Sequence, residues 1–126
     1  MAKHEITKEW LEDEMEIQFM RFYKDLPLVG IFKKQRNGEW KPLKAQLEKS
    51  SSGKSSFYIY FRKNGKRYKF PLGRIAYALH YGKCPKDMDV IFLNGRIDDV
   101  SKNNLVLKTH RENLYDKIWS KMEERN

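Results

Sequence analysis

The sequence has one cysteine, Cys84. A single thiol cannot close an internal disulfide, and without a Cys-x-x-Cys pair there is no zinc-finger ligand set. No apolar run approaches the roughly 20 residues that cross a bilayer. The acid-rich start (Glu5, Glu9, Glu12, Asp13, Glu14, Glu16) is the reverse of a basic signal peptide. These absences lead us to expect a soluble, intracellular chain without membrane contact. Acids are also scarce in the middle. Between Lys33 and Lys83 only Glu39 and Glu48 carry negative charge, against Lys33, Lys34, Arg36, Lys41, Lys44, Lys49, Lys54, Arg62, Lys63, Lys66, Arg67, Lys69, Arg74 and Lys83.

What is present fits that imbalance. The 126 residues carry a net charge of +9, and aromatics make up 13%. That length suits one modest domain or two closely coupled modules. A basic block with interleaved aromatic side chains points to a polyanion, nucleic acid above all.

Periodicity predicts the elements. Trp10, Leu11, Met15, Phe19, Phe22 and Tyr23 recur at helical spacing, so a helix is expected over Ile6 to Tyr23, capped by Thr7 and ended by Asp25-Leu26-Pro27. Leu28 to Lys34 reads as a strand, followed by a turn at Asn37-Gly38. Ser50 to Gly53 reads as a flexible loop. Phe57 to Arg62 and Lys66 to Phe70 form a hairpin around Asn64-Gly65, whose turn needs positive φ at both positions. Pro71-Leu72 opens a short helix to Tyr81, with Ile75, Ala78 and Leu79 on one face and Gly82 behind it. Asp89 to Leu93 and Leu105 to Leu107 are strands around the Asn94-Gly95 turn. Thr109 and Glu112 fit a capping box for a last helix from His110 to about Glu123, burying Leu114, Ile118 and Met122 or Tyr115 and Trp119. The expected class is α+β. A helix and small basic antiparallel sheet occupy residues 1–70, and a strand–strand–helix core occupies 71–126.

The second half resembles the phage-type HNH homing endonucleases that use no structural zinc. Arg74 and Ala78-Leu79-His80-Tyr81-Gly82 match that family's helix preceding the core. Asn94-Gly95 matches the core turn, Asn104-Leu105 its Asn-Leu, and Thr109, Glu112 and Asn113 its final element. The resemblance implies a ββα-metal core that hydrolyses phosphodiesters. A divalent metal sits between an Asp and an Asn, a His next to the Asp acts as general base, and an earlier Asn braces the loop.

Laid on this sequence, the metal Asn falls on Asn113 and the bracing Asn on Asn104. The metal Asp falls on Ile91, the base on Phe92, the His before Arg74 on Gly73, and a further Asn on Val100. Ile91 cannot bind Mg²⁺, and Phe92 cannot accept a proton. The chain therefore reads as a catalytically inactive relative, needing no cofactor, with Mg²⁺ relevant only if activity is retained. A rebuilt site would draw on Asp89, Asp98, Asp99 and His110, with Asn113 as its remaining ligand. His4 and His80 show no evident partners.

As a DNA-binding protein, its contacts to duplex DNA would come from Arg62, Lys63, Lys66, Arg67 and Lys69 around the hairpin. Arg74, Arg96 and Lys102 would flank the old cleavage site, and Arg111 and Lys117 would extend that face. Arg62 and Arg67 are the expected base or minor-groove readers. The expected role is a monomeric, phage-encoded regulator or DNA-masking factor in the bacterial cytoplasm. Two alternatives stand beside it. One is a protein-binding inhibitor or modulator of a host nucleic-acid enzyme. The other is a metal-dependent nicking endonuclease with a rebuilt site.

Overall fold

The computed structural model describes residues 5–19, 30–114 and 118–119. The fold is mixed α+β and dominated by short antiparallel strands. In chain order these are β1 (Ile6–Thr7), β2 (Ile17–Phe19), β3 (Ile31–Lys34), β4 (Trp40–Pro42), β5 (Ala45–Lys49), β6 (Ser55–Lys63) and β7 (Lys66–Pro71). Helix α1 (Leu72–Tyr81) then leads to β8 (Lys83–Cys84), β9 (Met88–Phe92) and β10 (Leu105–Thr109). Two three-stranded sheets, β2-β3-β4 and β5-β6-β7, and two two-stranded ones, β1-β8 and β9-β10, make up the described strands.

The β6–β7 hairpin forms where the sequence predicts it. Asn64 (φ 51°) and Gly65 (φ 79°) both adopt the left-handed conformation, which matches the right-handed twist of the flanking strands. Alternation then sorts the side chains. Ile59 and Phe61 are buried, while Tyr60 and Arg62 face outward. On the inner face Trp10 packs edge-on against Tyr68 and Phe70, with ring centroids at 5.5 and 5.8 Å, and Phe61 stacks on Tyr68 at 5.1 Å. The Ser50–Gly53 stretch is a tight turn joining β5 to β6. Its ends are tied by Ser50 N–H donating to Lys54 O at 2.8 Å and Lys54 N–H to the Ser50 hydroxyl at 3.2 Å.

The expected N-terminal helix is not there. Residues Trp10–Glu14 form a single π-helical turn between β1 and β2. Thr7 does cap that turn, accepting from Trp10 N–H at 3.1 Å. The helix stops at Glu16, whose φ of 55° is incompatible with continuing it. Beyond it Ile17, Gln18 and Phe19 pair with Lys33, Phe32 and Ile31. The helical spacing of Leu11 and Met15 holds for one turn, and the alternation of Met15, Ile17 and Phe19 takes over from there. Phe22, Tyr23 and the Asp25-Leu26-Pro27 stop lie outside the described residues.

Helix α1 is nearly encased, with Leu72, Gly73, Arg74, Ile75, Ala76, Ala78 and Leu79 all buried. Ile6 and Ile17 from the first strands, Leu11 from the turn between them, Ile59 and Phe61 from β6, and Cys84, Val100 and Leu105 from the second half join it in one hydrophobic cluster. The sequence boundary at residues 70 and 71 therefore falls inside shared core. Among the described residues no helix is long and apolar enough to cross a membrane.

The last helix, seen over 110–114, starts as expected, with Glu112 N–H donating to the Thr109 hydroxyl at 3.1 Å. It does not bury the residues assigned to the core. Leu114, Ile118 and Trp119 are 52%, 47% and 61% exposed. Asn113 is its half-buried side chain toward Asp89, and His110, which stays exposed, reaches the same carboxylate from the rim. Tyr115 and Met122 lie outside the described residues.

Replacing Ile59, which is fully buried, by Ala should cost about 2–5 kcal/mol in urea unfolding. Leu47→Ala, at a side chain that stays largely exposed on β5, should stay within about 0.5 kcal/mol. Equal effects would mean that β6 is not the strand that closes the core.

Candidate functional site

The cleft over β9 is the place the sequence singles out. It encloses about 350 Å³ and is lined on one side by Gly73 and Arg74 at the start of α1. Asp89, Ile91 and Phe92 line it from β9, and His110 and Asn113 from the last helix. Strand β9 pairs with β10 in a register that sets Asp89 opposite Lys108, Ile91 opposite Val106 and Phe92 opposite Leu105.

The loop between these strands is well braced. Asn104 is buried. Its side-chain oxygen accepts from Asn94 N–H at 2.9 Å, its amide donates to Asp99 O at 2.8 Å, and its carbonyl receives Leu93 N–H at 2.9 Å. Asn94 in turn donates to the Asp99 carboxylate at 2.7 Å. The Ser101 hydroxyl, with the Ser101 amide and Asn94 behind it, lowers the Asp99 pKa below the usual value. Asn104 thus ties Leu93, Asn94 and Asp99 together across the loop. Asp98 and Asp99 serve this turn and do not reach the cleft, since Asp98 pairs with Arg96 at 3.4 Å.

Asp89 lies on β9 two residues before Ile91, hence on the same strand face. One of its carboxylate oxygens lies 3.4 Å from both His110 Nδ1 and Asn113 Nδ2. The metal that the resemblance implies, Mg²⁺, does not fit what is present. Ile91 and Phe92 supply no lone pair. His110 offers nitrogen where Mg²⁺ requires oxygen ligands in near-octahedral array. Among the described residues no three His, Cys, Asp or Glu side chains gather.

Phe92 explains why the cleft floor is apolar. A Cβ built on Gly73 would lie 3.1–3.2 Å from the Phe92 ring and from Val90 Cγ1. The ring therefore occupies space that any side chain at 73 would need. The two positions where the resemblance places histidines thus lie against one another, one holding a large apolar ring and the other no side chain.

The expected contact residues divide into groups. Arg62, Lys66 and Arg67 are exposed on or beside the β6–β7 hairpin, and Lys63 is half-buried, paired with Glu16 at 3.2 Å. Lys69 is engaged within the sheet face. It pairs with Glu48 at 3.0 Å and lies 4.5 Å from the Tyr58 ring centroid, and Tyr60 donates to the same carboxylate. Hydrogen bonds from Tyr60 and then Lys69 hold the Glu48 pKa down, and the bond to Glu48 pushes those of Tyr60 and Lys69 up.

Arg74 differs from the rest. It is 5% exposed and donates to Met88 O at 2.7 Å and Pro85 O at 2.8 Å, bracing the chain that enters β9. Arg96 and Arg111 are exposed next to cleft-lining Ile97 and His110. Lys102 sits 5.3 Å over the Tyr81 ring, at the far end of α1 from Gly73. Lys117 and His4 lie outside the described residues. His80, without an evident partner in the sequence, bonds Val100 O through Nε2 at 2.7 Å and stacks on Phe19 at 4.5 Å. Sequence reasoning passes over the second basic surface, around β3 and β4. The Asn37-Gly38 turn is the available signal for it, but Pro42 hides the answering strand.

A double-mutant cycle tests the competition between positions 73 and 92 for this space. Gly73→His alone should destabilise by about 1–3 kcal/mol through overpacking. Together with Phe92→His the loss should shrink by about 1 kcal/mol, read from urea midpoints. Additive effects would show that the two positions are independent.

Residues 72–115 match the family described as HNH endonuclease. Neither curated proteins nor solved structures gave a match to the chain. The matched stretch runs from the first residue of α1 through β9, the braced loop and β10 into the last helix. This part of the chain is thus HNH endonuclease-like, which indicates nucleic-acid binding or nuclease ancestry.

Proposed function

We propose that the protein binds double-stranded DNA on a scaffold derived from phage-type HNH endonucleases and does not cut it, acting as a regulator or a DNA-masking factor. The observation that carries this reading is the Phe92 ring filling the space above Gly73, with Ile91 beside it, where hydrolysis needs a general base and a metal ligand. Loss of general-base help alone lowers a rate by roughly 10²–10⁴. Without the ligand, charge stabilisation at the phosphate goes as well. Binding needs neither group. It needs cations placed to meet phosphates, and Arg62, Lys66 and Arg67 at the hairpin, with Arg96 and Arg111 near the cleft, supply them.

A protein partner is the second reading, and the exposure of Leu114, Ile118 and Trp119 favours it. Large apolar side chains exposed near one another are a recurrent feature of protein-binding surfaces. On that reading Trp119→Ala abolishes capture of a host nucleic-acid enzyme and leaves DNA affinity unchanged.

Two experiments test the main reading. Binding to a random-sequence duplex in EDTA should weaken steeply with salt. Lys66→Ala/Arg67→Ala should reduce the log–log slope by about 2, since each phosphate left without its cation removes near 0.9. A wild-type protein that binds no duplex at low salt sinks the reading. Separately, wild type should leave supercoiled plasmid intact with Mg²⁺ or Mn²⁺. Nicking that Asn113→Ala abolishes would establish a working enzyme. Ile91→Asp/Phe92→His is the matching gain-of-function variant, and cleavage by it would show that the bracing loop is still competent.

A further inference from the structure

A second basic surface lies away from the cleft. The β3–β4 turn and the β6–β7 turn form the two sides of an open groove of about 990 Å³. Among the described residues its cations are Lys33, Lys34, Arg36, Lys41, Arg62 and Lys63, and its single lining acid is Glu16. It shares no lining residue with the cleft over β9.

The strand register makes this arrangement unusual for a merely solvated face. Lys33 stands directly opposite Lys41 across β3–β4. Arg62 opposes Arg67, and Lys63 opposes Lys66, across β6–β7. Like charges directly opposite one another on paired strands destabilise the pairing. Burial first, and then the charge of Lys63, lowers the Lys33 pKa, while Glu16 partly restores it. The two hairpins, far apart in sequence, thus press their cations onto one another. Glu16 relieves that crowding from inside the groove, with its carboxylate 3.2 Å from Lys63 Nζ.

We propose that this groove seats the sugar–phosphate backbone of the bound DNA, and that the Glu16 carboxylate is a built-in anion that a phosphate displaces from Lys63. The inference rests on the DNA-binding reading above and assigns that reading a site. A phosphodiester chain suits the groove because it brings repeated single negative charges, which can meet the groove's cations, the opposed Lys33 and Lys41 among them, one after another. A small acidic metabolite would meet too few of them. Contacts to phosphate of this kind fix position on the duplex and carry no sequence information themselves.

The test uses the full chain and a 20-base-pair duplex in EDTA across a salt series. Lys33→Ala/Lys41→Ala should lower the log–log slope by about 2, and Glu16→Gln should strengthen binding and raise the slope by about 1. Lys33 is half-buried and Lys41 exposed, and removal of the opposed pair should raise the low-salt unfolding midpoint, which is measured alongside so that a loss of affinity is separated from misfolding. Backbone amide shifts of Gly38 and Gly65 on DNA addition give a second readout in the wild-type protein. An unchanged slope in Lys33→Ala/Lys41→Ala, beside a reduced one in Lys66→Ala/Arg67→Ala, overturns the groove and leaves the DNA-binding reading standing. Absence of any binding by wild type overturns both.

Discussion

Helix α1 has almost no face left for solvent, and most of the remaining structure is arranged to cover it. A helix apolar on nearly all sides must be surrounded. The β1–β8 pair, the inner face of β6 and the β9–β10 hairpin do so from different directions. Arg74 is the charged exception, and it shows how tightly cover and function are tied. A buried guanidinium without partners would cost several kcal/mol. Arg74 meets the requirement through the carbonyls of Pro85 and Met88, the residues that lead into β9. The satisfaction of one buried charge thus aims the strand that carries Asp89, Ile91 and Phe92.

That arrangement leaves the cleft little freedom. Its floor is set by α1 and β9, so a side chain at 73 and one at 92 compete for the same volume. An imidazole reaching for water would leave that floor half-solvated, whereas a phenyl ring closes it. Apolar closure and hydrolysis are alternative uses of one space. The surrounding braces, Asn104 with Asn94 and Asp99, hold the loop in either case. The shape of the loop and the basic exterior therefore do not depend on which side chain fills that space.

The parts of this fold that are legible in the sequence are those encoded by neighbours. Asn64-Gly65 dictates its turn locally, and the apolar spacing of Ile75, Ala78 and Leu79 dictates α1. The landmarks from Arg74 to Asn113 mark the HNH-like segment. The N-terminal stretch misleads because Leu11 and Met15 satisfy helical spacing just where Met15, Ile17 and Phe19 satisfy strand spacing. Pairing with β3, a tertiary event, decides between them. The exposure of Leu114, Ile118 and Trp119 is hidden for a related reason. Helical spacing says that residues share a face, and it does not say that a core is waiting for that face. In the cleft, the apolar residues Ile91 and Phe92 can be read straight from the sequence. The place of Gly73 needs three dimensions, because only the fold brings it against the Phe92 ring.

The cationic groove is the least legible feature because its walls come from residues 31–41 and 62–65, which no local pattern connects. Its energetics are nonetheless simple. The hydrophobic cluster around α1 fixes both hairpins from beneath, through Ile31 on β3 and Ile59 and Phe61 on β6. Rigid support of this kind lets a protein hold Lys33 against Lys41 and Lys63 against Lys66, pairings that neither hairpin would favour alone. Folding gives no reason to keep those pairs, because a neutral side chain at any of the positions would relieve the repulsion. Glu16, held at a positive φ that few non-glycine residues adopt, offsets part of it. Local strain and local repulsion thus converge on one groove, while the opposing stabilisation comes from a core elsewhere. Sites that bind an oppositely charged ligand have that division of labour, since the ligand supplies the neutralisation that the protein's own side chains leave incomplete.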